Sequence, residues 1–260
     1  VLCCFAASKQ VVEINSRTIV VSDIRLGNVH SGVRQLNRFL AMHPCHTLVI
    51  TGSLFDIQTF NNHRPSILKV MQFFSGLSEL TEKYRTKVVV VQDRFTKAQI
   101  SFLDLFASYA IRTDHYLIEQ GTDKLLVVQG EIAGLLDTRL GRWLSHFQGG
   151  RKILTGIHKA LEVQLEHHPV WSGSQLPDYY NLSTASSLAY YAKAQGYQGV
   201  ISSLSEQALI LSVEGVRYMC SGNWGLYRSA LVDDLEHGWS VVYYKETDTL
   251  TSSIGLQPAR

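Results

Sequence analysis

A chain of 260 residues in which 45% are hydrophobic and 18% charged holds enough apolar material for a substantial core and is too apolar to remain disordered. Its formal charge is only +2, and no basic stretch interleaves with aromatics, so it lacks the footprint of a nucleic-acid binder. The longest apolar runs are of strand length, far short of the roughly 20 residues that a helix needs to cross a bilayer.

The four cysteines, Cys3, Cys4, Cys45 and Cys220, show none of the paired spacings of a zinc site. A disulfide framework is not expected in a chain this long, and a reducing compartment fits best. The opening "VLCCFAAS" has no basic n-region and makes a poor signal peptide.

In chain order, "VVEIN", "SRT" and "TIVVSD" read as a strand, a tight turn and a second strand. Apolar, β-branched runs follow at "TLVITG", "KVVVVQD" and "KLLVVQG". Between them "SGVRQLNRFLAM", "PSILKVMQFFSGLSELTEKY" and "TKAQISFLDLFASYA" carry apolar residues at helical spacing. This βαβα order predicts a largely parallel sheet covered by helices. Residues 138–197 change character, with amphipathic helical stretches and Arg139, Arg142, Arg151, Lys152 and Lys159, and read as a helical cap insertion into a single domain spanning 1–260. From Gly199 the pattern turns to short strands, "GVISSL", "QALILSVEGVRYMCSG" and "SALVDDLEHGWSVVYY", an antiparallel meander or second sheet. The expected class is α/β with two sheets, and the loops after the parallel strands should share one rim, where sites on such sheets lie.

Those loops carry a series of motifs. "SDIRLGN" is similar to a Ser-Asp-Leu-His-Leu-Gly opening, "ITGSLFDI" to Gly-Asp-Leu-Phe-Asp, and "VVVVQDRF" stands in the place of Gly-Asn-His-Asp. "VVQGEI" resembles His-Gly-Asp, "GVISSLSEQA" takes the place of Gly-His-x-His, and "YMCSGNW" that of Tyr-Ile-Asn-x-Gly-Asp-Trp. In this order and spacing, from about Thr18 to Tyr244, the chain resembles the calcineurin-like metallophosphoesterases. Within them it is most similar to the UDP-2,3-diacylglucosamine pyrophosphatase-like branch, which carries a helical insertion before its last metal motif. The resemblance implies a two-sheet sandwich flanked by helices. It also implies, in active members, two divalent metals bridged by a carboxylate that activate water against a phosphate ester or pyrophosphate.

Position by position, the ligands implied by the resemblance are mostly replaced. Asp23 stands as the first ligand, but Arg25 takes the place of the next histidine and Ser53 that of the bridging aspartate. Asp93 replaces a ligand asparagine, and Arg94 the histidine that would assist at the phosphate. Gln129, Leu204 and Glu206 stand where three further histidines would be. Loss of even one supporting partner weakens a metal site about 10 to 100-fold. A guanidinium, always charged, cannot ligate a cation at all. No metal and no cofactor is therefore expected. Arg25 and Arg94 would instead supply counter-charge to Asp23, Asp93 and Glu206, or bind an anion. Asp56 in "LFDI" reads as a loop-capping carboxylate, Asn223 in "GNW" as a turn residue, and Trp224 as packing beneath the former site.

The function that follows from the resemblance and its departures is that of a pseudoenzyme: a metallophosphoesterase-like fold serving as a structural or regulatory subunit of a larger assembly, with protein partners. The alternative is a non-hydrolytic module that binds a phosphate-containing ligand, a nucleotide sugar or anionic lipid, through Arg25 and Arg94. An active hydrolase is the weakest of the three. His30, His43, His46, His63, His115, His146, His158, His167, His168 and His237 all fall outside the positions where the family draws a ligand, and Ser53, Ser203 and Ser205 have no identifiable histidine partner. The resemblance implies a cytoplasmic location or one peripheral to the inner membrane face, with an organelle matrix equally open. The amphipathic "HFQGGRKILTGIHKALEV" and the pairs Tyr179–Tyr180 and Tyr190–Tyr191 are candidate interface elements.

Overall fold

The computed structural model describes residues 14–28, 31–56, 59, 66–92, 100, 103–104, 110–129, 179–213, 215–245 and 251–252. Asp93, Arg94, most of "TKAQISFLDLFASYA" and the insertion up to residue 178 lie outside them.

The chain is a mixed α/β protein with two sheets. The first is assembled around β1 (Ser16–Ser22), β2 (Cys45–Thr51) and β3 (Lys87–Val91), which run parallel and side by side. β4 (Ala110–Thr113) extends it in parallel at one edge. On the other side β10 (Ser229–Asp234) pairs antiparallel with β1, followed by β11 (Gly238–Tyr243) and β12 (Thr251–Ser252). The second sheet has the order β5-β6-β7-β9-β8. It is built from β5 (His115–Gln120), β6 (Asp123–Val128), β7 (Gly199–Ser202), β8 (Leu209–Val213) and β9 (Val216–Cys220). In it β6, β7 and β9 run parallel.

Alternation within β1 explains its unbroken apolar run. Val20 faces inward and packs with Val49, Val89 and Met219 between the sheets. Ile19 and Val21 face outward, beneath α1 (Val33–Met42) and α2 (Ile67–Tyr84). Both faces are buried, as expected of parallel strands covered on either side. The outer face of the second sheet is covered by α3 (Tyr179–Ala194), whose Leu188, Ala189 and Ala192 pack on Leu126, Val200 and Tyr218. α3 thus forms the outer layer of the sandwich, although its sequence falls within the segment read as a cap.

Three local differences from the sequence reading have plain causes. "SRT" is strand, not turn: Arg17 lies inside β1, where an irregularity between Ser16 and Thr18 shifts the register. The strands β4 and β5 were not foreseen, because "AIRTDHYLIEQ" is half-exposed and its apolar residues are broken by polar ones. The C-terminal strands divide between the sheets: β7 to β9 build the second sheet with β5 and β6, one of the two arrangements expected, while β10 and β11 return to the first.

Candidate functional site

The site is the rim where the C-terminal ends of β1, β2, β6, β7 and β9 meet. Parallel register sets Ser22 beside Thr51, so the next residues, Asp23 and Gly52, emerge abreast. The two loops continue side by side: Arg25 N–H donates to Ser53 O at 3.0 Å, Leu26 N–H to Leu54 O at 2.7 Å, and Leu26 bridges Phe55. Asp23 and Arg25 both adopt left-handed backbone, with φ of 53° and 52°. Outside glycine, that conformation is found chiefly at Asn, Asp and His. Asp23 therefore suits its backbone, whereas Arg25 carries a conformation that its side chain does not favour.

The Asp23 carboxylate accepts the Ser53 N–H at 3.0 Å. Burial pushes its pKa up, Glu206 adds to the rise, and the Ser53 hydrogen bond and the Arg25 guanidinium pull the other way. The net direction is upward. The Gly52 position favours glycine on two counts: its φ of +70° strains an L side chain, and a Cβ there would stand 3.0 Å from the Asp23 carboxylate and 3.0 Å from the Ser203 hydroxyl, which would have to give way. Ser203 donates its hydroxyl to Gln129 O at 2.9 Å, joining the ends of β6 and β7.

The former ligand positions are thus drawn together in part. Asp23, Ser53, Gln129 and the Ser203–Glu206 loop converge on one rim. Arg25 forms no ion pair with Asp23; it is exposed and acts on Asp23 and Asp56 only through longer-range attraction. Leu204 is half-buried against the cluster beneath α3, an apolar contact where the resemblance places an imidazole. Glu206 is exposed, and its backbone carbonyl accepts the Asn223 N–H at 2.8 Å. Asp93 and Arg94 lie outside the described residues, so their expected place at this rim rests on sequence.

The neighbouring positions are structural in their contacts. Asp56 accepts from Thr59 N–H at 2.9 Å and from the Asn28 amide at 2.8 Å; these bonds outweigh burial and hold its carboxyl below the usual range. Asn223 caps α4 (Trp224–Tyr227) by accepting the Leu226 N–H at 3.2 Å. Trp224 is fully buried, stacks at a tilt on Phe39 and donates to Gly32 O at 3.1 Å.

Sequence reasoning missed a set of buried hydroxyls behind the rim. The Ser22 hydroxyl bonds to Gly222 O and accepts from the Ser221 hydroxyl at 2.9 Å, Ser229 donates to Ser221 O at 2.8 Å, and Ser202 meets the Tyr218 hydroxyl at 2.7 Å. Thr51 reaches Val128 O at 3.4 Å across the two sheets. A signal was present: "VVS", "VIT" and "VIS" each close a buried strand on a small hydroxyl residue.

Tested against a metal pair, these residues do not fit. Among the described residues no three His, Cys, Asp or Glu side chains gather as a metal site would require. Among the described residues the carboxylate nearest the centre, Asp23, is engaged by a backbone N–H and feels the Arg25 charge at longer range. Cys220, behind the rim, is no ready thiolate either, since burial raises its pKa to about 11.

No family description matches the chain, and no curated protein matches it. Among solved structures it is similar to a novel archaeal phosphodiesterase at 11% identity, covering 87% of this chain and 99% of that one, with a TM-score of 0.45. A single mutant of Vps29 from Entamoeba histolytica matches at 13% identity over 89% and 93% of the two chains, TM-score 0.44. A predicted phosphoesterase from Streptococcus pneumoniae matches at 13% identity over 90% and 91%, TM-score 0.39. Likenesses of this size carry no inference about chemistry, which rests on the residues themselves.

Proposed function

We propose that the protein is a catalytically inactive relative of the metallophosphoesterases, of the UDP-2,3-diacylglucosamine pyrophosphatase-like kind, and acts as a structural or regulatory subunit of a larger assembly. One observation carries this reading. The loops after β1 and β2 keep a demanding backbone, with left-handed Asp23 and Arg25 and Gly52 at positive φ, while the side chains on that backbone are Arg25 and Ser53. Geometry of this kind is costly to maintain, about 1–3 kcal/mol per strained residue. Its persistence without the ligand set supports a fold retained for a purpose other than hydrolysis. A cytoplasmic or membrane-peripheral site of action belongs to the same proposal.

The test is the metal content of the purified chain by elemental mass spectrometry after incubation with manganese, zinc or iron and desalting, beside a phosphodiester hydrolysis assay. The expected outcome is substoichiometric metal and no turnover above buffer. Near-stoichiometric metal with turnover would sink the proposal.

A second reading, a non-hydrolytic module for a phosphate-containing ligand, draws on Arg25, which is exposed at the rim and not in contact with Asp23. Under it, calorimetric titration with a UDP-sugar gives saturable heat that Arg25→Ala abolishes. Absence of heat at millimolar ligand retires this reading and leaves the subunit role standing.

A further inference from the structure

The outer faces of α1 and α2 form a groove of about 670 Å³ on the helical side of the first sheet. Its floor is low because the helices approach closely: a Cβ on Gly76 would stand 2.6 Å from the Asn37 side chain, and the Asn37 amide donates to Gln72 O at 2.7 Å. Ala41, Ser75 and Gly76 are small, and Met71, 55% exposed, is the apolar side chain open on the groove, with Leu80 buried beneath it. The groove runs beside the ten residues of α1, about 15 Å at 1.5 Å per residue, which is the footprint of some three helical turns.

Its charge is one-sided. Arg34 and Arg38, one turn apart and exposed on α1, and Lys83 on α2 line it, against the single carboxylate of Glu79. No ion pair joins any of the three to Glu79, which acts on Lys83 only at longer range. Of the nine exposed large hydrophobic side chains among the described residues, Met42, Ile67, Leu68 and Met71 belong to these two helices. Of these four, Met71 lines the groove itself and is the exposed apolar contact that a partner's stripe could use there.

We propose that the α1–α2 groove is a docking site for an acidic amphipathic helix of a partner protein. Its apolar stripe lies over Met71, Gly76 and Leu80, and its carboxylates, a turn apart, face Arg34, Arg38 and Lys83. This is the helix-in-groove mode of recognition, with charge complementarity setting the sign of the partner. The inference rests on the subunit reading only in supposing a partner. It concerns a different face from the rim, so the metal assay and the following titration fail separately.

The experiment is fluorescence anisotropy on the full chain with two labelled 18-residue helical peptides sharing one leucine stripe, one flanked by glutamates and the other by lysines. The acidic peptide binds roughly 10-fold or more tighter, its affinity falls as salt rises, and Arg34→Glu with Arg38→Glu removes at least roughly 10-fold of it while leaving the thermal melt in place. Equal binding of the two peptides overturns the proposal, as does acidic-peptide affinity that the double reversal leaves unchanged. If the reversal instead abolishes self-association in sedimentation, or if phosphatidylserine vesicles bind the groove and the acidic peptide does not, the occupant is a second copy or a lipid surface and the proposal is likewise wrong. Should the double variant melt early, Arg34→Gln and Lys83→Gln, each at an exposed side chain, give the same reading with a smaller loss.

Discussion

The two ends of the sandwich are built from different materials. At the end where the parallel strands begin, charge meets charge: Arg17 holds the fully buried Asp233 through two hydrogen bonds, of 2.9 and 3.1 Å, Gln120 from the second sheet joins the same carboxylate, and Arg217 pairs with Asp123 at 2.7 Å. At the end where the strands finish, the buried polar groups among the described residues are hydroxyls, backbone amides and the side-chain amides of Gln92 and Asn223, and the half-buried carboxylate of Asp23 is held by a backbone N–H with Arg25 out of contact. A buried charge persists where a partner is fixed in place, whereas the described residues of the rim are held chiefly by neutral hydrogen bonds.

The largest effect should come from breaking the charged end. Arg17→Ala leaves Asp233 buried with Gln120 as its remaining side-chain partner, and loss of one member of a buried pair costs about 3–5 kcal/mol. Arg17 itself is 40% exposed, so water moves in and the expected loss is nearer ~2–3 kcal/mol in urea unfolding. A loss under ~0.5 kcal/mol would show that the Arg17–Asp233 pair does not fasten β1 to β10.

At the rim, Gly52→Ala is the counterpart. The added Cβ meets the Asp23 carboxylate and the Ser203 hydroxyl at 3.0 Å on a backbone of positive φ, and about 1–3 kcal/mol should be lost. Combining it with Arg17→Ala tests whether the two ends are independent. Additivity within about 0.5 kcal/mol is expected at this separation.

A smaller effect, of opposite sign, belongs to Asp23→Asn. Burial raises the folded-state pKa of Asp23 above its ordinary 3.8, so the folded chain binds the proton more tightly than the unfolded one. Its contribution to stability is therefore fully present below pH 3.8 and lost as pH rises through the folded value. Asparagine keeps an acceptor for the Ser53 N–H and removes the buried charge. The variant should be more stable than the parent at neutral pH, with the difference shrinking in acid. Thermal melts from pH 3.5 to 7.5 read this directly, and a difference that grows toward acid would reverse the assignment.

Why some of this was legible in the sequence follows from how each feature is encoded. β1, β2, β3 and β6 are unbroken apolar runs because both faces are covered, and α1 and α2 show their apolar stripe at helical spacing. The rim was located by residues that follow those runs, Asp23, Ser53 and Gln129. The charged clamp was invisible: Arg17, Gln120 and Asp233 are separated by more than a hundred residues of chain, and only the pairing of β1 with β10 and the packing of β5 bring them together. Whether Arg25 touches Asp23 was equally unreadable, since it turns on a backbone angle. The groove is not encoded in either helix alone: it exists only where α2 is set beside Arg34 and Arg38.

The finest test concerns Arg25 itself, the residue that most sharply separates the two ends. If it acts as counter-charge, as Arg17 does for Asp233, replacing it should destabilise. If the backbone matters more, Arg25→Asn should help, because asparagine accepts the left-handed conformation that costs an ordinary residue about 1–2 kcal/mol. Against this stands the lost attraction to Asp23 and Asp56, worth about 0.2–1 kcal/mol for an exposed cation. The balance favours a gain of roughly 1 kcal/mol at physiological salt, by difference of the two. Salt separates the contributions: the attraction is screened as ionic strength rises, whereas the conformational gain is not. Urea midpoints of parent and variant should therefore diverge further at 1 M salt than at 0.05 M. A variant that is weaker at low salt and merely recovers at high salt would place Arg25 with Arg17, as a cation held for its charge.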